Sequence, residues 1–323
     1  MRLLFGAALL GLAMFLAPTG ASAQAYPTKP VSLLIAFPPG GPSDVLSRVV
    51  GKKLEQILGQ PFIMDNRPGA GGNIAAEAAA YAAADGHTIL MGNNSILATN
   101  AALYKKVNFD AEKDFAPISL IGSQANILVV NLDMPVKSLA ELIALLRANP
   151  GKFNYASSGH GTAAHLAAEL FKAEAKVAIT HVPYKGGAPA LQDVIAGHVQ
   201  MIFATAASVV PHIHSGKVRA LAVTPIRRTA VFPDLATIDE LGLKGFDATT
   251  WHGLVAPAKT PRDIVVRLHR ATVEALQDAQ VRKSLTDLGV DIVGNTPEEF
   301  AAYIKAEIPK WTAIVKASGA KLD

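Results

Sequence analysis

The chain of 323 residues contains no cysteine. That absence excludes thiolate nucleophiles, thiolate metal sites, disulfides and a lipid carried on cysteine. It also lacks any run of lysine or arginine, and its formal net charge is only +4, so nucleic acid and membrane surfaces are poor partners. No low-complexity segment and no long linker interrupts it. No Gly-x-Ser-x-Gly elbow occurs, so an acyl-transfer serine has no sequence support. Ser157 and Ser158 stand beside His160, but residues two or three apart in one tight loop do not form a usable nucleophile–base pair. Gly69-Ala70-Gly71-Gly72 has the wrong spacing for a dinucleotide fingerprint, and no acidic residue follows at the required distance. His212 and His214 lie two apart near Pro211 without a third ligand close in sequence, which reads as a surface turn and not as a metal site. No metal and no cofactor is expected.

What is present begins with a leader. Arg2 precedes an apolar run from Leu3 to Leu16, and Ala21-Ser22-Ala23 is a small-x-small cleavage signal. The run is too short for a comfortable membrane span. Residues 1–23 are therefore read as a signal peptide, with an exported, soluble chain starting at Gln24. Its core must stabilise it without disulfides, and its length suggests two domains.

Two loops share one grammar. Val31 to Phe37 reads as a buried strand and Val45 to Leu58 as a helix with Leu46, Val49, Val50, Leu54 and Ile57 on one stripe. Between them lies Phe37-Pro38-Pro39-Gly40-Gly41-Pro42-Ser43-Asp44, with Ser43 and Asp44 at the expected N-cap. About 120 residues on, Phe153 to Ala156 reads as a strand and Ala163 to Lys172 as a helix, joined by Ser157-Ser158-Gly159-His160-Gly161-Thr162 with Thr162 at the cap. A helix N-terminus offers free N–H groups and the positive end of a dipole, so each loop is a candidate anion cradle. Two such loops suggest two α/β halves facing a shared cleft. His165, one turn into the second helix, reads as a hydrogen-bonded packing residue that braces its loop.

Strands and helices alternate elsewhere. Further strands are read at Pro61 to Asn66, Thr88 to Met91, Ala178 to Val182, Val199 to Phe203 and Val218 to Val223. Ser138 with Glu141 and Thr296 with Glu299 are capping devices, and Thr260-Pro261 places proline at a first helical position. Pro309 should kink the last helix. The segments Phe115 to Asn131 and Phe246 to Ala256 are the expected crossings, giving one lobe from 24–123 with 225–323 and a second from 124–224. The C-terminal helices are free to straddle both.

Tyr26-Pro27-x-Lys29-Pro30, the loop 37–44, Asn66-Arg67-Pro68-Gly69-Ala70-Gly71-Gly72-Asn73, Tyr155-Ala156-Ser157-Ser158-Gly159-x-Gly161-Thr162-x-x-His165, His181-Val182-Pro183-Tyr184-Lys185-Gly186 and Gly216 to Thr224 follow in that order. As an ordered set they resemble the Bug-type extracytoplasmic substrate-binding proteins of tripartite tricarboxylate transporters. The resemblance implies a two-lobed α/β Venus flytrap of periplasmic binding protein type II topology, with a mixed sheet and flanking helices in each lobe. It implies a periplasmic monomer, not an enzyme, that hands a small carboxylate to membrane permease subunits. The loops would pinch one carboxylate through Phe37, Pro39, Gly40, Gly41, Ser43, Asp44, Ser157, Ser158, Gly159, His160, Gly161 and Thr162, using backbone N–H groups, hydroxyls and water. Two residues depart from the pattern: His160, where many relatives carry a smaller polar residue, and Ala204, where many carry aspartate. A ligand sensor of the same fold and an exported α/β enzyme stay open as other readings.

For the far end of the ligand the candidates are His160, Asn94, Ser95, Thr205, Ser208, Trp251 and His252, none of them lysine or arginine. That favours a dicarboxylate or an aromatic carboxylate over a densely charged tricarboxylate. A protonated His160 or His252 would strengthen a second carboxylate, so dicarboxylate affinity is expected to weaken from about pH 6 to 8. Ser43 and Thr162 are expected to donate their hydroxyls to the first carboxylate.

Overall fold

The computed structural model describes residues 26–229 and 232–322, so the leader and its cleavage point lie outside the described residues. Two mixed sheets organise them. The first is built from β1 (Val31–Ile35), β2 (Phe62–Asn66), β3 (Thr88–Asn93), β4 (Phe115–Gln124), β10 (Thr250–Pro257) and β11 (Val290–Ile292). Its order is β11-β4-β10-β3-β1-β2. The strand β1 is parallel to both β2 and β3. Apolar on nearly every position, it is the strand type that a sheet covered on both faces requires. The strand β10 joins antiparallel to β3 and β4.

The second sheet has the order β7-β6-β8-β5-β9. Its members are β5 (Asn126–Val130), β6 (Asn154–Ser157), β7 (Thr180–Pro183), β8 (Met201–Thr205) and β9 (Arg219–Val223). Here β6 is parallel to β7 and β8, while β5 is antiparallel to β8 and β9.

The chain changes sheets between Gln124 and Asn126, and returns between β9 and β10. The two passages are tied together. Asn126 donates its amide N–H to Thr224 Oγ1 at 3.1 Å and its side-chain Nδ2 to Ala248 O at 3.0 Å and Thr250 Oγ1 at 3.2 Å. Thr224 N–H returns a bond to Asn126 O at 2.9 Å.

The first sheet carries α1 (Pro42–Leu58), α8 (Arg262–Gln277) and α9 (Ala279–Asp287) against one face, sealing Leu33, Leu46, Leu54, Leu254 and Leu268. A larger core runs through both sheets, takes in α2 (Asn73–Ala80), α3 (Asn100–Leu103) and α4 (Leu139–Ala148), and includes Leu34, Leu128, Tyr155, Phe203, Trp251 and Trp311. The last helix, α10 (Pro297–Ser318), packs against both β4 and α5 (Ala163–Ala175), and so touches elements of either sheet. Gly253 makes room for it: a Cβ there would meet Phe300 Cζ at 2.3 Å.

Several local expectations change. The helix α1 begins at Pro42, with Gly41 as N-cap, so Ser43 and Asp44 are its second and third residues. Pro261 is itself the N-cap of α8, not its first helical residue. Pro309 sits inside a helix that continues to Ser318. His212 and His214 lie in the last turn of α7 (Ala206–His214), a helix and not a turn. The Thr296–Glu299 capping box forms as expected.

Candidate functional site

A cavity of about 510 Å³ opens between the sheets. Phe37, Pro38, Pro39, Gly41, Pro42 and Ser43 form one wall, with Asn93, Asn94 and Ser95 beside it. The opposite wall comes from Ser158, Thr162, Ala163 and Ala164, from Gly186 and Gly187, and from Ile202 to Thr205 with Ser208. Asn126, Thr250 and His252 complete it at the crossing strands. No lysine, arginine, aspartate or glutamate is among these lining residues.

Four helices point their N-terminal ends at this space: α1, α5, α6 (Gly187–Ile195) and α7. At α1, Val45 N–H makes the first bond back along the helix, to Gly41 O at 3.0 Å. Pro42 has no N–H, so Ser43 and Asp44 carry the orphan amides of that turn. At α5 the first such bond runs from Leu166 N–H to Thr162 O at 3.0 Å, and His165 N–H goes to Thr162 Oγ1 at 3.4 Å. Ala163 and Ala164 are left with the orphan amides, and both line the cavity. An alanine gives no chemical signal in sequence. Only its place as first or second residue after a cap could have pointed to it.

The loop residues divide into those that face the cavity and those that shape the loop. Asp44 is buried, and its carboxylate takes Gly40 N–H, Arg48 Nε, Arg48 Nη2 and Asn66 Nδ2, each at 2.9 Å. Burial pushes this carboxyl up, but the Arg48, Gly40 and Asn66 bonds outweigh it and hold it at about 2. Asp44 and Gly40 are thus spent on each other and are not among the lining residues, which corrects their expected place at the ligand. On the second loop, Thr162 Oγ1 donates to Gly159 O at 2.8 Å, so its one proton is already used. This corrects the expectation that it donates to a carboxylate.

Ser157, Gly159, His160 and Gly161 also lie off the cavity wall. Gly161 N–H donates to His165 Nδ1 at 3.1 Å, and Gly161 holds φ +73°, open to glycine without strain. His165 therefore braces the loop, as its position suggested. Ser157 Oγ lies 3.1 Å from both Gly159 N and Gly159 O and 2.6 Å from His181 Nε2. The assignment that satisfies all three has Ser157 donating to Gly159 O and accepting Gly159 N–H and His181 Nε2–H.

His160, His165 and His181 form a group whose ligand nitrogens all lie within 4.8 Å. Nitrogens on one zinc ion stand about 3.3 Å apart, as bond lengths of ~2.0–2.1 Å require. With Nδ1 accepting from Gly161, neutral His165 carries its proton on Nε2, and the His165 and His181 rings stack at 4.2 Å. These rings are arranged to pack and to hold the loop, not to converge on a metal. Burial lowers His165 to about 4 and His181 to about 3, and the neighbouring imidazoles add to both shifts.

Trp251 is fully buried and donates its indole N–H to Glu307 Oε2 at 2.9 Å, so it does not reach the cavity as expected. Asn94, Ser95, Thr205, Ser208 and His252 do. Thr205 Oγ1 and Ser208 Oγ are 3.0 Å apart. Asn126, Ala163, Ala164, Gly186 and Thr250 were missed from sequence, because each becomes a wall residue only through the two crossings or a helix start.

Ser43 Oγ and His252 Nε2 lie 3.0 Å apart. The pair looks like a nucleophile and base, but nothing orients the ring: His252 Nδ1 is buried without a partner. Burial alone lowers His252 to about 4, which makes it a weak base and leaves it uncharged near neutral pH. Of the two expected histidines, His252 reaches the cavity wall and His160 lies off it.

Two mixed sheets joined by paired crossings, with helix N-termini around a cleft, define a solute-binding fold of the periplasmic type. The chain belongs to the tripartite tricarboxylate transporter family of receptors, which it matches over residues 46–320. The protein BugT of Bordetella pertussis is 38% identical over 316 residues, covering 96% of this chain and 97% of that one. An adipate-bound protein of R. palustris is 36% identical with a TM-score of 0.82, covering 92% of this chain and 100% of that one. MatC from Rhodopseudomonas palustris, with bound malate, is 34% identical with a TM-score of 0.79, covering 90% and 100%.

Proposed function

We propose that this protein captures a small carboxylate between two lobes and delivers it, in the periplasm, to the membrane subunits of a tripartite tricarboxylate transporter. One observation carries the reading: four helix N-termini converge on a cavity whose lining contains no charged side chain. An anion there is met by amide groups and helix dipoles, not by a fixed cation. Such a site binds strongly enough to capture and has no ion pair to break on release. The adipate and malate held by the two R. palustris relatives are anions of this kind. The Ser43–His252 pair lacks an orienting acid, which supports binding over turnover.

The carboxylate sits between the Ser43 amide and hydroxyl on one side and the Ala163 and Ala164 amides on the other. A substitution tests this without touching a side-chain function. Ala163→Pro keeps the helix, because proline suits the first helical position and Thr162 is already extended at ψ 160°. It removes one donor to a charged acceptor, worth about 1.5–3 kcal/mol, or roughly ten- to a hundredfold in affinity. Calorimetry with adipate or malate reads the change. Wild-type affinity in a folded Ala163→Pro protein would remove the second loop from the site. Absence of binding by any carboxylate in the unmodified protein would remove the reading itself.

A further inference from the structure

The second loop, 157–162, is held from two sides at Gly161. From within its own half of the chain, His165 Nδ1 takes Gly161 N–H at 3.1 Å. The other side belongs to the first sheet's half and to the segment after α10. A Cβ on Gly161 would run into Leu103 Cδ2 and come within 3.7 Å of Leu322 Cδ1, so both leucines lie against the α-carbon of this glycine. Leu103 ends α3 and is buried. Leu322 is fixed beside it by the main chain: its N–H donates to Leu103 O at 2.8 Å, and Lys105 N–H donates to Leu322 O at 3.0 Å. Neither leucine lines the cavity.

The place of α3 is set in turn by the glycine-rich turn at 69–72, which the cavity wall does not use. Asn100 Nδ2 donates to Gly71 O at 3.1 Å and to Asn73 Oδ1 at 2.7 Å. The Tyr104 ring lies where a side chain on Gly71 would stand. The main chain of Tyr104 pairs with Leu322. The turn, α3 and the segment after α10 are thus tied into one block, and that block meets the other half's ligand loop at Gly161. Thr162 closes the loop on itself through its bond to Gly159 O, and α5 starts directly after it. A shift of Gly161 is therefore passed to the Ala163 and Ala164 amides two and three residues on. Groups that recognise a ligand work only when held to within about 0.5 Å by what packs behind them.

Resting on the carboxylate reading above, we infer that Leu103 and Leu322 are positioning residues for the ligand site: they seat the second loop against the first half of the molecule and hold the Ala163 and Ala164 amides in register with Ser43. The ligand touches neither leucine, yet its affinity depends on both. The glycine-rich turn acts through the same seat, by placing α3.

The test compares Leu103→Ala and Leu322→Ala with Leu268→Ala, which removes the same group from the core sealed by α1, α8 and α9. All three leave a void and lower stability, so stability alone does not discriminate. Leu322 is only partly buried, so its variant keeps the fold even where Leu103→Ala does not. The first readout needs no ligand: exchange of the Gly161 amide hydrogen in the folded protein. Both seat variants should speed it at least about tenfold relative to Leu268→Ala. The second is calorimetry with adipate or malate. Affinity should fall roughly two- to thirtyfold in the seat variants and stay within about twofold in Leu268→Ala. Leu322→Met, apolar and of similar size, should restore both readouts. Equal Gly161 exchange in all three alanine variants, or unmodified affinity in both seat variants, overturns the inference and leaves the carboxylate reading standing. Failure of the unmodified protein to bind any carboxylate sinks that reading and the role inferred here with it.

Discussion

Trp251 Nε1 and Trp311 Nε1 donate to the same oxygen, Glu307 Oε2, at 2.9 and 2.7 Å. One tryptophan comes from the return crossing and the other from the last helix, so one buried carboxylate fastens α10 to β10. Lys310 completes the group, donating to Glu307 Oε1 at 3.0 Å and Asp247 Oδ2 at 3.1 Å.

Replacing Glu307 with leucine leaves two indole N–H groups without their acceptor and Lys310 with Asp247 alone. Removing one partner of a buried charged set costs about 3–5 kcal/mol. A thermal melt should show a large loss of stability. Trp251→Phe, by contrast, should leave ligand affinity within about threefold, because the indole does not line the cavity. A tenfold loss in calorimetry would put Trp251 at the ligand after all.

Asp44 makes a second prediction, with a pH sign. Its carboxyl is held at about 2, below the ordinary 3.8, so its contribution is complete above about pH 4 and is lost as pH falls through 2. Asp44→Asn should flatten that part of the acid limb of a stability–pH curve. Asp44→Ala should also cost about 1–3 kcal/mol at neutral pH by orphaning Gly40 N–H. An unchanged acid limb in Asp44→Asn would contradict this.

Binding should be nearly independent of pH between 6 and 8. His252 ionises near 4 in the folded protein, below its ordinary 6.5, so it stays neutral across that range. A carboxylate ligand keeps its charge there as well. A fall in affinity of more than about threefold from pH 6 to 8 would mean that an imidazolium meets the ligand.

The paired crossings predict a hinge. Solution scattering should give a smaller radius of gyration with saturating ligand than without. Asn126→Leu, which cuts the bonds to Ala248 and Thr250, should lower stability by about 1–3 kcal/mol. Identical scattering curves with and without ligand would show that no closure occurs.

Much of this was legible in the chain, and the part that was not has a physical reason. Glycine-rich loops between a buried apolar run and an amphipathic stripe mark a strand, a turn and a helix, and both loops at the cavity were located that way. The donors were harder. Serine, threonine and aspartate advertise hydrogen bonds in sequence, yet Thr162 and Asp44 spend theirs inside their own loops, while the alanines after the cap expose their amides. Trp251 misled in the same way: next to the cavity in sequence, it points to Glu307, because successive residues of a strand face opposite sides. Asn126 was legible only as part of a crossing, since its wall position depends on Ala248 and Thr250 more than a hundred residues away.

A wall that meets its anion with main-chain amides separates two properties that side-chain sites entangle. On the proposed reading, the charged end of the ligand meets groups that no ordinary substitution deletes, proline excepted. The rest of the cavity wall is made of side chains, Asn94, Ala204, Thr205 and His252 among them. Libraries confined to those positions should therefore move the protein from one carboxylate to another without losing carboxylates as a class, which makes the chain a starting scaffold for sensors of acids that have none.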